Sequence, residues 1–98
     1  MLNQYLKYKI MTKTKEQKIP KWFKGVIYDK GSEVLNVFSG ERYTLNNVEL
    51  SMYDFIMGTQ YVMEVAPKTV TEKQISEFHK ALNWFRSNNT EAYMILLD

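Results

Sequence analysis

The stretch that decides the fold lies between Asn47 and Val65 and reads NVELSMYDFIMGTQYVMEV. Its apolar residues recur at intervals that place side chains on one face of an α-helix. They are Val48, Met52, Phe55, Ile56, Val62 and Met63. Asn46 precedes the run as an N-cap, and Glu49, three residues later, completes a capping box. We therefore predict a helix over residues 47–65.

A second apolar stripe follows another side of the same segment. It consists of Leu50, Tyr53, Met57 and Tyr61. Two stripes predict that the helix is covered on more than one face and lies at the centre of the domain. Gly58 falls inside the helix, where glycine costs about 1 kcal/mol relative to alanine. Its presence predicts either a second backbone passing close to the helix or a bend at this point.

The sequence after the central helix predicts a helical pair. Thr71 and Gln74 form a second capping box, and Asn88-Asn89 ends the helix that this box opens. The apolar seam of that helix is Ile75, Phe78, Leu82 and Phe85. A short last helix then follows within residues 81–98, which read ALNWFRSNNTEAYMILLD. We expect so apolar an ending to lie in the core or against a partner.

Three short apolar runs precede the central helix, at residues 22–28, 33–38 and 42–45. Turn residues separate the runs, with Gly31 before the second and Gly40 before the third. This alternation predicts a small antiparallel β-meander, in which both glycines adopt the positive φ angle that hairpins need. The predicted fold class is therefore α+β, with the meander packed on the central helix and a C-terminal helical pair beside it.

The chain is expected to divide into a basic arm, residues 1–19, and a single α+β domain, residues 20–98, because a chain of 98 residues supplies one core. Within the arm, the alternation from Tyr5 to Ile10 predicts an edge strand. The lysine-rich stretch 12–18 predicts a linker. Because Met11 opens this stretch, one hypothesis is that the first ten residues are a dispensable extension from an upstream start codon.

Charge is distributed unevenly along the sequence. Residues 1–30 hold eight lysines against two acidic residues, whereas residues 31–98 hold five basic and nine acidic residues. Such a basic segment favours contact with nucleic acid or an acidic partner, or simply keeps the protein soluble. The absence of cysteine excludes disulfides, thiolate metal sites and cysteine nucleophiles. The sequence contains no membrane-length apolar run or signal-peptide pattern, so we expect a cytoplasmic protein.

The ionisable residues predict no catalytic, metal or cofactor site. His79 is the only histidine, and zinc sites need three or four donors. Glu49 with Asp54, and Glu72 with Glu77, are spaced five residues apart. That spacing turns the two side chains about 140° apart on a helix. We therefore expect a protein without enzymatic activity.

Asp54 is the acidic residue with the most informative setting, because it lies in the most apolar predicted helix. It is expected either to be exposed at the helix edge or to be buried beside a cationic partner. Arg42 and Arg86 are the candidate partners.

Two surfaces are candidate binding sites. Aromatic residues and methionine are enriched at the centres of protein interfaces, although the same residues suit the domain's own core. The protein-binding candidates are Trp84, Phe85, Tyr93 and Met94. A nucleic-acid site combines lysines that neutralise phosphates with a ring that stacks on bases. Its candidates are Lys13, Lys15, Lys18, Lys21, Trp22 and Lys24.

The stretch Phe38-Ser39-Gly40-Glu41 suits either a binding loop or a plain hairpin turn, and the turn is the simpler interpretation. Several other short motifs occur with it between residues 34 and 98. They are Leu45, Tyr53-Asp54, Ile56, Gly58, residues 82–86 (LNWFR), Asn88-Asn89, residues 91–94 (EAYM) and Leu96-Leu97-Asp98. Together these motifs resemble a small family of uncharacterised proteins encoded by tailed bacteriophages. The chain departs from that family where Asn36-Val37-Phe38 replaces an Asn-Pro-Phe turn.

The resemblance implies a short accessory protein, made in an infected bacterium, that binds a host or phage protein. It implies no catalytic residue. Two apolar stripes on one helix of so short a chain also favour a homodimer, since few layers are available to cover both. Protein binding is therefore the favoured function, and nucleic-acid binding through the basic segment is the alternative.

Overall fold

The computed structural model describes residues 17–97. In this part of the chain, strands β1 (Ser32–Leu35) and β2 (Arg42–Leu45) form an antiparallel hairpin, and three α-helices follow. They are α1 (Asn47–Val65), α2 (Glu72–Asn88) and α3 (Thr90–Leu96), with a 3₁₀ turn, Pro67–Thr69, between α1 and α2. The α+β fold class is confirmed. The predicted strand at Tyr5 to Ile10 and most of the predicted linker lie outside the described residues.

Helix α1 begins and ends at the predicted residues. In its capping box, the Glu49 N–H donates to Asn46 Oδ1 (2.8 Å) and the Asn46 N–H donates to Glu49 Oε1 (3.0 Å). The two halves of α1 differ in burial. Met52 and Ile56 in the first half are fully buried, whereas Tyr61 in the second half is exposed. The prediction that α1 is covered on more than one face therefore holds only for its first half.

The two C-terminal helices follow the prediction. The capping box of α2 is present, with the Gln74 N–H donating to Thr71 Oγ1 (3.1 Å). Asn89 serves both helices. Its backbone N–H donates to the Phe85 carbonyl (2.9 Å) at the end of α2, and its Oδ1 accepts from the Ala92 N–H (3.1 Å) at the start of α3. One asparagine thus fixes the corner between α2 and α3.

The hairpin strands pair along their full lengths, with Ser32 opposite Leu45. Gly40 in the connecting turn has the predicted positive φ, at 78°. Gly31 does not have a positive φ, so that part of the prediction is wrong. Glycine is needed there for another reason, since a Cβ would overlap the Leu45 carbonyl oxygen.

The predicted meander is also wrong in its first strand, because residues 22–28 form none. These residues dock on α1 instead of pairing with a strand. The Phe23 ring packs edge-on against the Phe55 ring (5.4 Å between centroids). The Tyr28 N–H donates to Ser51 Oγ (2.9 Å). A side chain of α1 therefore accepts the hydrogen bond that a neighbouring strand would accept in a sheet.

The core lies where the three helices, β2 and the docked segment meet. Its buried apolar residues are Phe23, Leu45, Met52, Ile56, Phe78, Ala81, Phe85, Ala92 and Leu96. They come from every one of these elements, so no element completes the core alone.

A carboxylate is buried beside this core. Glu49 is 5% exposed, and its Oε2 accepts from Gln17 Nε2 (3.0 Å) and Asn89 Nδ2 (2.8 Å), while Oε1 accepts from the Asn46 backbone. The Tyr43 hydroxyl donates in turn to Asn89 Oδ1 (3.3 Å). Buried polar groups are stable only when such bonds are made. These bonds connect the start of the described chain, β2, α1 and the α2–α3 corner.

Replacing Glu49 with glutamine should destabilise the fold by about 1–3 kcal/mol, because the new amide offers one acceptor oxygen where the carboxylate uses two. Urea unfolding followed by circular dichroism measures the change. Glu64→Gln is the matched control, since Glu64 lies exposed on the same helix and should leave the unfolding midpoint within about 0.5 kcal/mol of wild type. Equal stability of the two variants would contradict a structural role for the Glu49 carboxylate.

Candidate functional site

The side chains with reactive groups lie apart. Glu49 is buried, whereas Asp54 is exposed, as their spacing predicted. His79 is exposed, and its ring lies edge-on to Phe78 (5.7 Å between centroids). Within residues 17–97, no three His, Asp or Glu side chains are close enough to hold a metal ion.

Asp54 interacts with a tyrosine and not with either candidate arginine. Arg42 pairs with Glu33 across the hairpin (3.0 Å). Arg86 donates to Asn83 Oδ1 within its own helix (3.1 Å). The negative charge of Asp54 raises the pKa of Tyr28 above its ordinary value, with further contributions from desolvation and from a hydrogen bond to the same carboxylate. Asp54 is exposed, so the first of the two expected settings is the one observed. Arg42 and Arg86 lie on other elements and have contacts of their own.

The four protein-binding candidates do not form one exposed patch. Phe85 is fully buried in the core, and Trp84 and Tyr93 are half-buried against it. Only Met94 is well exposed, at 62%. The C-terminal aromatic residues thus contribute mainly to the core in this structure.

The nucleic-acid candidates are divided between exposed charge and a packed ring. Lys18, Lys21 and Lys24 are exposed. Trp22 is half-buried, with its ring edge-on to Phe23 (6.3 Å between centroids). Lys13 and Lys15 lie outside the described residues.

The hairpin turn presents two apolar side chains, of which the sequence analysis considered Phe38 for a binding loop but favoured a plain turn, and did not single out Val37. Phe38 is 97% exposed and Val37 is 77% exposed. We call these two residues the hairpin tip. The signal was present in the sequence, since an apolar pair lies between Asn36 and Ser39 at a position where turns are normally polar. The pair was interpreted there as the end of an apolar run that leads into a plain turn.

The backbone that carries the hairpin tip is held by hydrogen bonds. Asn36 Oδ1 accepts from the Phe38 N–H (2.9 Å), and the Asn36 carbonyl accepts from the Gly40 N–H (2.8 Å). Asn36 Nδ2 donates to the Ile95 carbonyl in α3 (2.8 Å). Ser39 Oγ accepts from the Glu41 N–H (3.2 Å). The turn is therefore fixed internally and tied to the last helix.

A second surface feature is formed by other residues than the hairpin tip. A groove of about 410 Å³ opens between residues 24–26, α1 and α2. Its apolar lining includes Phe55, Val62 and Val70, with Gly58 between them on α1. Its charged lining residues are Lys24, Asp54 and Glu77.

Gly58 is not explained by packing within the described chain. Helix α1 continues through it, and no described atom lies within 4 Å of the position that a Cβ would take. The prediction of a second backbone passing close by is therefore wrong for residues 17–97. Gly58 instead leaves open space beside the helix.

Comparisons with protein-family models, curated proteins and solved structures gave no match to this chain. None of the described helices has the length and apolar character needed to cross a bilayer. The candidate sites therefore rest on geometry, and the hairpin tip and the groove are the two that are considered below.

Replacing Asp54 with asparagine should lower the pKa of Tyr28 toward its ordinary value, near 10, because the negative charge disappears. A raised phenol pKa contributes stability below the unfolded-state pKa and loses it as pH rises through the folded-state value. Wild type should therefore lose more stability than Asp54→Asn above about pH 10. Tyrosine-labelled NMR titration and urea unfolding between pH 8 and 11 measure both effects.

Glu77→Gln is the matched control for this prediction. It removes a carboxylate from the same groove but one that does not shift the Tyr28 pKa. A Tyr28 pKa that moves equally in both variants would show that general surface charge, and not Asp54, raises it.

Proposed function

We propose that this chain is a small non-enzymatic accessory protein that acts by protein–protein binding, with the hairpin tip inserted into an apolar pocket of its partner. The observation that carries the proposal is the 97% exposure of the Phe38 side chain on a hydrogen-bonded turn. A fully exposed phenylalanine leaves a large apolar area in water, whereas burial in a partner stabilises a complex by about 1.5–3 kcal/mol.

The fixed turn favours binding because the turn loses less conformational entropy when it docks on the partner. A loop already held in one conformation gives up less freedom when it docks. Asn36 bonds to the turn and to the Ile95 carbonyl, so the hairpin tip is anchored to α3. Val37 and Phe38 therefore project from a defined support.

The surroundings of the hairpin tip resemble the rim of an interface. Interfaces combine an apolar centre with polar, solvent-accessible residues around it. Glu41 is exposed next to the turn, and the exposed Glu33–Arg42 pair lies across the strands behind it. These charges would remain at the edge of a complex in which Phe38 is buried.

The sequence resemblance supports the biological context of the proposal. Phe38-Ser39-Gly40-Glu41 is among the motifs that resemble a family encoded by tailed bacteriophages, so the proposed partner is a host or phage protein. The proposed setting is the cytoplasm of an infected bacterium. Binding through the hairpin tip gives that accessory role a physical basis without requiring catalysis.

Phe38→Ser should abolish capture of the partner while leaving the fold intact, because the side chain makes no contribution to the core. The measurement is quantitative mass spectrometry of proteins co-purified with tagged wild type and variants from infected cells. Each candidate is then tested with purified components by calorimetry, where Phe38→Ser should weaken binding at least tenfold, as expected for loss of about 1.5–3 kcal/mol.

Met94→Ser provides the matched control. Met94 is also exposed and apolar, but it belongs to the C-terminal surface and not to the hairpin tip. Met94→Ser should bind the partner with the affinity of wild type. Loss of binding in Met94→Ser with retention in Phe38→Ser would move the interface to the C-terminal surface and contradict the proposal.

Nucleic-acid binding is a second candidate, favoured by the exposure of Lys18, Lys21 and Lys24 at three-residue intervals. Phosphate contacts make affinity fall steeply with salt. If this function holds, binding to single-stranded DNA should weaken by about tenfold or more between 50 and 200 mM salt and be lost when the three lysines become glutamine. Affinity that does not depend on salt would reject it.

A further inference from the structure

We infer that two copies of this chain form a two-fold symmetric dimer through the second half of α1. The contact surface combines the groove with an adjacent ridge, which consists of Met57, Tyr61 and Val65. In the dimer, the ridge of each copy lies in the groove of the other. This inference concerns a different surface from the hairpin tip and does not depend on the proposed function.

The ridge is an exposed apolar face of α1. Its members are spaced four residues apart, which places them one above another along the helix. Met57 is 41% exposed, Tyr61 63% and Val65 60%. Such a row is one of the ridges that pack into the grooves of a facing helix. Nothing in the described chain covers it, although the same helix is fully buried at Met52 and Ile56.

Gly58 indicates what the groove accommodates. Glycine destabilises a helix interior relative to alanine, so it needs a reason. No described atom approaches the position of its missing Cβ, and Gly58 lines the groove next to Val62. An occupant from outside the described chain supplies the reason, because the absent side chain lets another helix approach the α1 backbone closely.

The charges around the ridge favour a second copy as the occupant. The ridge itself has no charge and lies between Asp54 on α1 and Lys68 in the 3₁₀ turn, both exposed. In an antiparallel pair of α1 helices centred on Tyr61, the numbers of any two residues that face each other add up to twice the number of Tyr61. Met57 then faces Val65 of the other copy, and Asp54 points toward its Lys68. Opposite charges thus meet at both ends of the uncharged ridge.

A second copy also fits because ridge and groove are neighbours on one helix. A two-fold axis requires the same patch on both subunits to be self-complementary. Gly58 and Val62 belong to the groove, and Tyr61, between them in sequence, belongs to the ridge. A two-fold rotation therefore buries the ridge and the groove of both copies. Because no ridge or groove is then left exposed, the assembly stops at two copies.

The test uses the fact that the chain contains no cysteine. Tyr61→Cys places a thiol at the proposed axis, where two copies bring their thiols together. Under mild oxidation this variant should convert mostly to a disulfide-linked dimer, whereas Met94→Cys, which is as exposed as Tyr61, should remain mostly monomeric. Comparable cross-linking of the two variants would indicate random collision and overturn the inference.

A second measurement determines the assembly without cross-linking. Light scattering of wild type at 10–100 µM should give twice the chain mass of 11.7 kDa. Gly58→Leu places a side chain in the groove at a position where a Cβ meets no neighbouring atom within 4 Å. It should therefore remain helical by circular dichroism and dissociate at least tenfold more readily. A monomeric wild type, or a Gly58→Leu dimer as tight as wild type, would contradict the proposed interface.

The charge pairing has its own control. Lys68→Asp should weaken the dimer about three- to tenfold, and adding Asp54→Lys should restore most of the loss, because the pair is then reversed across the interface. If the double variant is weaker than Lys68→Asp alone, the antiparallel arrangement centred on Tyr61 is wrong. Phe38→Ser should leave all of these measurements unchanged, which keeps the dimer separate from partner binding.

Discussion

The buried carboxylate of Glu49 is the constraint on which the rest of the structure depends. A carboxylate removed from water is costly unless hydrogen-bond donors replace the solvent. Its donors come from Asn46 before α1, Asn89 between α2 and α3, and Gln17 at the start of the described chain. Only a fold that brings these distant segments together satisfies the charge. One side chain therefore caps α1 and also fixes its neighbours around it.

This arrangement divides α1 into two parts with different roles. The first half lies in the core, where Met52 and Ile56 are fully buried. The second half packs against the core through Met63 but keeps the apolar ridge exposed. The hairpin is held to α3 through the bond from Asn36 to the Ile95 carbonyl. A small core thus supports two exposed apolar features without using either for its own stability.

The candidate site was harder to predict than the fold. Aromatic composition selected Trp84, Phe85 and Tyr93, but the structure places these residues in or against the core. Composition reports how much apolar surface a chain has and not which part of it remains exposed. Phe38 was placed at the end of an apolar run and the start of a plain hairpin turn, and the binding-loop interpretation was not favoured. Its exposure depends on where β1 ends, and that end is set by the Asn36 turn and by pairing with β2.

The sequence by itself determined the bounds of α1, both capping boxes and the Asn89 break, because each depends on hydrogen bonds between residues about four positions apart. Only the tertiary structure decided that residues 22–28 dock on a helix, that Gly31 avoids the Leu45 carbonyl and that Glu49 is buried. These outcomes depend on contacts between residues far apart in the chain. Local spacing contains no information about which distant group fills a hydrogen bond or covers an apolar face.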